Sequence, residues 1–146
     1  MEVSEFRKTV LEYLRKLNEN SNRIFSPIFE QYELTMLQVM ILGELKCGSS
    51  SIGNLAEGIH VAGSNVSSMC KKLEQKGILE RFRASEDERV VKVILTEKGK
   101  AIISEIENAS NEKLLRHIND VTEKNFEDII SRLEELNNLL EKVASE

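Results

Sequence analysis

Apolar positions in the first third of the chain recur at three- and four-residue steps. Phe6, Val10, Tyr13, Leu14 and Leu17 share one face, which predicts an amphipathic helix. Ser26-Pro27 predicts a bend or a new helical start, followed by Ile28 and Phe29. Leu34-Thr35 then reads as a helix entry with Thr35 as N-cap. Met36, Leu37, Val39, Met40, Leu42 and Leu45 are too apolar for a surface helix, so this element is expected to be buried. Cys47-Gly48-Ser49-Ser50 ends it.

Residues 51–99 hold a denser pattern. Ser51 is placed to cap a short helix with core positions Ile52, Leu55, Ala56 and Ile59. In the next helix Val66, Met69, Cys70 and Leu73 fall at i, i+3, i+4 and i+7, which turns Asn65, Ser68, Lys71, Lys72 and Gln75 outward. Gly77 suits the position after that helix. Residues 78–83 and 90–95 then read as two strands around the charged loop 85–88. Two strands are marginal alone, so the hairpin must pack on the helices. The order is that of a helix-turn-helix followed by a β-wing. A helix whose exposed arc is small, polar and basic can enter a major groove and reach base edges and phosphates.

From Thr96 onward the pattern is helical again. Ala101, Ile102, Ile106, Leu114, Leu115 and Ile118 make one face. Asn119-Asp120-Val121-Thr122 breaks it, and Thr122-Glu123-Lys124-Asn125 restarts it. Phe126, Ile129, Ile130, Leu133, Leu136, Leu139, Leu140 and Val143 continue an apolar stripe to the end of the sequence. Little sequence remains to cover that stripe or the one from Phe6 to Leu17. Both are expected to bury themselves against a second copy of the chain.

Composition changes this picture little. At 146 residues the chain is the size of one domain, with 40% hydrophobic residues, 31% charged residues and a single proline. No segment reaches the roughly 20 apolar residues that span a bilayer, and residues 1–5 lack a signal-peptide pattern, so a cytoplasmic location with no membrane partner is expected. The net charge of −5 is unusual for a nucleic-acid binder. Its distribution is more telling: residues 60–100 carry nine cations against six anions, a net +3, which leaves −8 elsewhere.

Candidate chemistry is sparse. Cys47 and Cys70 form neither a disulfide framework nor a metal motif, and Cys70 falls on the inward face, where a thiol is inert. His60 and His117 are too few and too far apart to hold a metal. No phosphate loop, nucleophile elbow or histidine-centred triad appears, so neither an enzyme nor a cofactor is expected.

The residues resemble the MarR family of bacterial winged-helix regulators. The likeness is carried by Leu34-Thr35 with Gln38, Leu55-Ala56, Val66-Ser67, Leu73-Glu74, Lys76-Gly77-Ile78-Leu79-Glu80-Arg81, Asp87-Glu88-Arg89 and Leu95-Thr96 with Gly99. It implies a mainly α fold with a small β-hairpin wing, as one domain over 1–146. Residues 1–33 and about 100–146 would be dimerisation helices, and about 34–99 the winged helix-turn-helix lobe. It implies a sequence-specific regulator that binds double-stranded DNA as a homodimer. Such a protein is expected to repress a pseudo-palindromic operator and to be released by a small-molecule effector or another signal.

Residue by residue, Ser64, Asn65, Ser67, Ser68, Lys71 and Lys72 fall on the family's recognition helix. Asn65, Ser68 and Ser64 are assigned to base edges or nearby phosphates, and Lys71 and Lys72 to phosphates. For Ser67 a half-buried position within the lobe is the alternative. Arg89 matches the wing arginine and Asp87 its acidic partner. Arg83 is a further wing candidate, and Lys98 a phosphate contact near a helix start. The resemblance also allows a ligand pocket lined by Phe25, Phe29 and Tyr32, with plain core or dimer packing as the alternative. Two features depart from the family: Ala62 stands where a hydroxyl residue often precedes the recognition helix, leaving Gly63 or Ser64 to cap it, and the wing tip Glu86-Asp87-Glu88 is acidic. These departures motivate a second reading, a winged-helix protein-interaction module that does not bind DNA.

Overall fold

In the computed structural model, which describes residues 1–118 and 120–145, the chain forms six helices and three short strands. Asn119, expected within the C-terminal break, lies outside the described residues. The chain divides into two units, Met1–Ser110 and Asn111–Glu146.

Helix α1 spans Val3–Glu30 without interruption, so Pro27 neither bends the chain into a new element nor starts one. Proline lacks an N–H and forfeits one ladder bond there. The residues just after it compensate, because Ile28 and Phe29 are buried at 7% and 5% exposure and pin the last turn to the core. The helix ends with Glu33 in the left-handed region at φ 54°, where the Leu34 N–H reaches back to the Phe29 carbonyl at 3.1 Å.

Helix α2, Met36–Glu44, begins as its sequence predicts. The Thr35 hydroxyl accepts from the Gln38 N–H at 3.3 Å, and the Gln38 side chain accepts from the Thr35 N–H at 3.0 Å. Burial is one-sided, contrary to the expectation of a buried element. Ile41 and Leu42 are sealed in the core with Gln38, whereas Leu37 and Met40 stay exposed. High apolar content alone does not surround a helix; only the face that meets other elements is covered.

A 3-10 turn over Leu45–Cys47 leads to Gly48, and residues Ser50–Ser51 form strand β1, which sequence reading missed. Helix α3, Ile52–Gly58, is capped by the Ser51 hydroxyl, which accepts from the Asn54 N–H at 3.1 Å. Helix α4, Gly63–Gln75, buries Val66, Cys70 and Leu73 and leaves Met69 partly covered, the face expected from its spacing. It closes through Gly77, at φ 70°, with the Ile78 N–H on the Leu73 carbonyl at 3.0 Å and the Gly77 N–H on the Glu74 carbonyl at 2.9 Å.

Strands β2, Leu79–Arg83, and β3, Val91–Leu95, pair antiparallel with Leu79 opposite Leu95 and Arg83 opposite Val91. β1 adds to the other side of β3, giving the order β1-β3-β2. The wing is thus a three-stranded sheet rather than a bare hairpin. Helix α5, Glu97–Leu115, starts beneath Thr96, whose hydroxyl accepts from the Gly99 N–H and donates to the Gly77 carbonyl at 2.7 Å.

In the second unit the last turns of α5 precede α6, Glu123–Ala144. Thr122 and Asn125 cap each other reciprocally. No residue of α6 is buried; Phe126, Ile129, Ile130, Leu133, Leu139, Leu140 and Val143 are all exposed. The apolar face of α1 is likewise open at Phe6, Leu14 and Leu17. Among the described residues, no helix is long and apolar enough to cross a membrane.

Candidate nucleic-acid interface

The core decides which side of α4 can do chemistry. Val66, Cys70 and Leu73 are held against α2, α3 and the sheet with no exposure above 0%. The opposite arc therefore faces solvent, and Ser64, Asn65, Ser68, Lys71, Lys72 and Gln75 are all exposed on it. Ser67 sits at the edge of this arc and is half-buried, the alternative that its spacing left open.

Ala62 itself is the N-cap of α4, and its side chain makes no capping bond. The expectation that Gly63 or Ser64 would cap is not met, because both already lie inside the helix. The Ala62 carbonyl accepts from the Asn65 and Val66 N–H groups at 3.0 and 3.2 Å. The Gly63 and Ser64 N–H groups of the first turn thus receive no side-chain cap from Ala62.

The basic window divides sharply by partner. Arg81 Nε lies 3.0 Å from Glu74 Oε2, and Lys76 Nζ donates to the Glu33 carbonyl at 2.7 Å. Lys98 Nζ donates to the Lys76 carbonyl at 2.7 Å, which ties it to the C-terminal end of α4 rather than leaving it free at a helix start. Lys100 pairs with Glu97, and Arg83 Nη1 donates to the Glu88 carbonyl at 2.8 Å. Among the described residues, the unpartnered cations of this window are Lys71, Lys72, Arg89 and Lys92. Lys92, which sequence reading counted only as window charge, lies half-buried on β3 opposite Phe82.

Asp87 and Arg89 meet through the backbone. The Arg89 N–H donates to Asp87 Oδ1 at 3.0 Å, and the Val90 N–H donates to the Asp87 carbonyl at 3.0 Å. Asp87 therefore shapes the wing turn and leaves the Arg89 guanidinium free. The Ala84 N–H closes the hairpin on the Val90 carbonyl at 2.9 Å. Arg89 and Ser67 line one open groove with Ser51, Ile52 and Gly53, so the wing base and α4 share a surface.

The three aromatics grouped by sequence separate. Phe29 is in the core and stacks on Phe25 with ring centroids 6.2 Å apart, the packing alternative. Tyr32 instead lines a cleft of about 400 Å³ with Gln31, Glu33, Lys76, Ile78, Lys98 and Ile102. Its hydroxyl donates to Glu105 Oε2 at 2.8 Å, a bond that holds the phenol above its ordinary pKa. Cys70 is fully buried, and loss of solvation pushes its thiol up to about 11; Cys47 is exposed. Among the described residues no cluster of histidine, cysteine and carboxylate groups could hold a metal ion.

Comparison with known proteins gives this geometry its family. The model of the family described as transcriptional regulator SarA/Rot matches residues 23–106. The chain is 30% identical to the transcriptional regulator SarZ of Staphylococcus aureus over 110 residues, 75% of this chain and 73% of SarZ. It is 30% identical over 96 residues to the transcriptional repressor MdtR of Bacillus subtilis, 65% of this chain and 62% of MdtR, less than two thirds of that protein's length. Its fold is shared with a mutant MarR from E. coli solved in complex with operator DNA, at a TM-score of 0.79 and 18% identity over 93% of this chain and 99% of that one. The chain belongs to the SarA/Rot family, a family of transcriptional regulators and not of enzymes, and it shares the winged-helix fold of MarR.

Proposed function

We propose that the protein binds duplex DNA as a cytoplasmic homodimer and represses from a pseudo-palindromic operator. One observation carries this reading. The exposed arc of α4 offers Ser64, Asn65, Ser68, Lys71 and Lys72 beside a wing whose Arg89 is unpaired. Asn65 and Ser68 suit base edges, and Lys71 and Lys72 suit phosphates. The uncapped first turn of α4 favours a phosphate there, since its N–H groups have no side-chain partner. Arg89, with Arg83 beside it on the wing, suits the adjacent minor groove. Lys98 contributes through the charge of the lobe while its ammonium stays on Lys76. The fold of a protein solved with operator DNA supports the same docking, and the repressor MdtR favours repression.

The open apolar faces of α1 and α6 support self-association. A two-fold dimer would present two α4 helices about 34–36 Å apart, one turn of duplex. In this reading residues 1–33 and about 100–146 join the copies, and 34–99 read DNA. The cleft at Tyr32 is of a size to take a small-molecule effector that alters the separation of the two α4 helices. The acidic wing tip, exposed at Glu86, Asp87 and Glu88, favours a second reading, a protein-interaction module.

Selection of bound duplexes from a random pool, followed by footprinting, tests the proposal. A recovered palindrome with half-sites one helical turn apart, bound with a steep salt dependence, is expected. Failure to retain any duplex at low salt would favour the interaction module.

A further inference from the structure

The side chains of Leu79, Arg81 and Arg83 fall on one face of β2, and Leu79 is buried on that face. Arg81 therefore occupies a position where an apolar residue would ordinarily pack, and its guanidinium needs a partner. Glu74, near the end of α4, supplies one with both oxygens. Its Oε1 accepts from the Arg81 backbone N–H at 3.1 Å, and its Oε2 accepts from Arg81 Nε at 3.0 Å. The side chains retain 40% and 26% of their exposure, so the pair is partly withdrawn from water.

This clamp joins the two elements that the DNA-binding reading assigns to the major groove and its neighbour. The wing turn is held together internally by the bonds of Ala84, Val90, Arg89 and Arg83. What remains to be set is the angle between that turn and α4. The Gly77 cap and the pairing of β1 with β3 hold the wing's root, and Arg81 lies four residues beyond Gly77, at the middle of β2 and toward the tip. A tie at that point restrains rotation about the root in a way the cap alone cannot.

We propose that Glu74 is a positioning residue: it acts through Arg81 to hold the wing against α4, so that Arg89 and the exposed arc of α4 engage one duplex together. The proposal rests on the DNA-binding reading. It also removes Arg81 from the set of phosphate contacts, although Arg81 is one of the cations of the basic window.

Charge alone and positioning make opposite forecasts for Glu74→Gln. Removing an anion beside a polyanion should tighten binding if geometry is indifferent. Loss of the clamp should weaken it, by about tenfold, on the scale of coupling within one hydrogen-bonded pair. The measurement is fluorescence anisotropy on the full chain, with a duplex selected by the parent protein from a random pool, at several salt concentrations. Arg81→Gln is expected to weaken binding by a similar factor with the salt slope unchanged, because no phosphate contact is lost. The pair Glu74→Gln with Arg81→Gln should cost no more than either alone. Glu74→Gln that remains folded by circular dichroism and binds as tightly as the parent, or more tightly, overturns the proposal. So does a fall of about one in the salt slope for Arg81→Gln. A parent chain that selects no duplex overturns the DNA-binding reading and this proposal with it.

Discussion

Gly99 on α5 lies directly against the backbone carbonyl of Ile78. A β-carbon at 99 would fall well inside contact with the Ile78 oxygen and 3.1 Å from its carbonyl carbon. The same oxygen accepts from the Thr96 N–H at 3.1 Å and lies 3.0 Å from the Thr96 hydroxyl, so it cannot swing away without losing its bonds to Thr96. Gly99→Ala is therefore expected to destabilise the chain by about 3 kcal/mol, at the upper end of overpacking costs. Urea unfolding checks this, and a loss below about 0.5 kcal/mol would show that the wing root yields freely.

His60 holds φ 53° where α3 ends, with the Val61 N–H on the Ala56 carbonyl at 3.0 Å. A side chain in that region costs energy that glycine does not incur. His60→Gly is expected to raise stability by about 1 kcal/mol, seen as a higher melting temperature. A lower one would mean that the imidazole makes a compensating contact.

Burial raises the Cys70 thiol from its ordinary value to about 11. Between roughly pH 9 and 11 the unfolded chain would release a proton that the folded chain retains, so the unfolded state binds fewer protons and stability falls as pH rises. Below pH 9 the contribution is fully present. Cys70→Val should flatten the stability profile across that window relative to the parent. At neutral pH a thiol reagent is expected to modify exposed Cys47 promptly and Cys70 only on unfolding.

Arg89→Ala and Asn65→Ala should separate by kind of effect. The first is expected to weaken binding across many duplexes and to lower the salt slope by about one. The second should relax discrimination at particular base pairs, by about 1–3 kcal/mol each. Unchanged affinity for Arg89→Ala at moderate salt would remove the wing from the interface.

Leu133→Asp with Leu140→Asp places two carboxylates on the open face of α6, where neither leucine is buried within one chain. Sedimentation equilibrium is expected to show dissociation to monomers, with the fold of the first unit retained by circular dichroism. A mass unaffected by the double substitution would assign self-association to other residues.

Much of the lobe was legible locally. Thr35 and Ser51 each sit before an apolar run and each cap a helix as read, because a hydroxyl at that position meets an N–H three residues on; Thr122, read only as part of a helical restart, caps α6 in the same way. The spacing of Val66, Cys70 and Leu73 likewise fixed the outward arc of α4, since helical geometry leaves no choice of opposite face. Sequence also named Gly77 as the end of that helix.

Other features depended on partners distant in the chain. β1 is two residues long and exists only because Ser50 and Ser51 pair with Val93 and Lys92. Pro27 remains helical because Ile28 and Phe29 are anchored in the core just after it. Leu37 and Met40 are exposed because the elements packed on α2 cover only its Ile41 and Leu42 side. The basic window counted nine cations together, and folding commits Arg81, Lys76 and Lys98 to internal bonds with Glu74, Glu33 and Lys76.

The sequence by itself determined most of the helices, the hydroxyl caps of α2 and α3 and the face that α4 turns to solvent, since these follow from periodicity and from bonds spanning three or four residues. Only the tertiary structure decided which charges remain free and how the wing is held against α4. Those outcomes depend on side chains brought together across long stretches of chain, and periodicity carries no record of them.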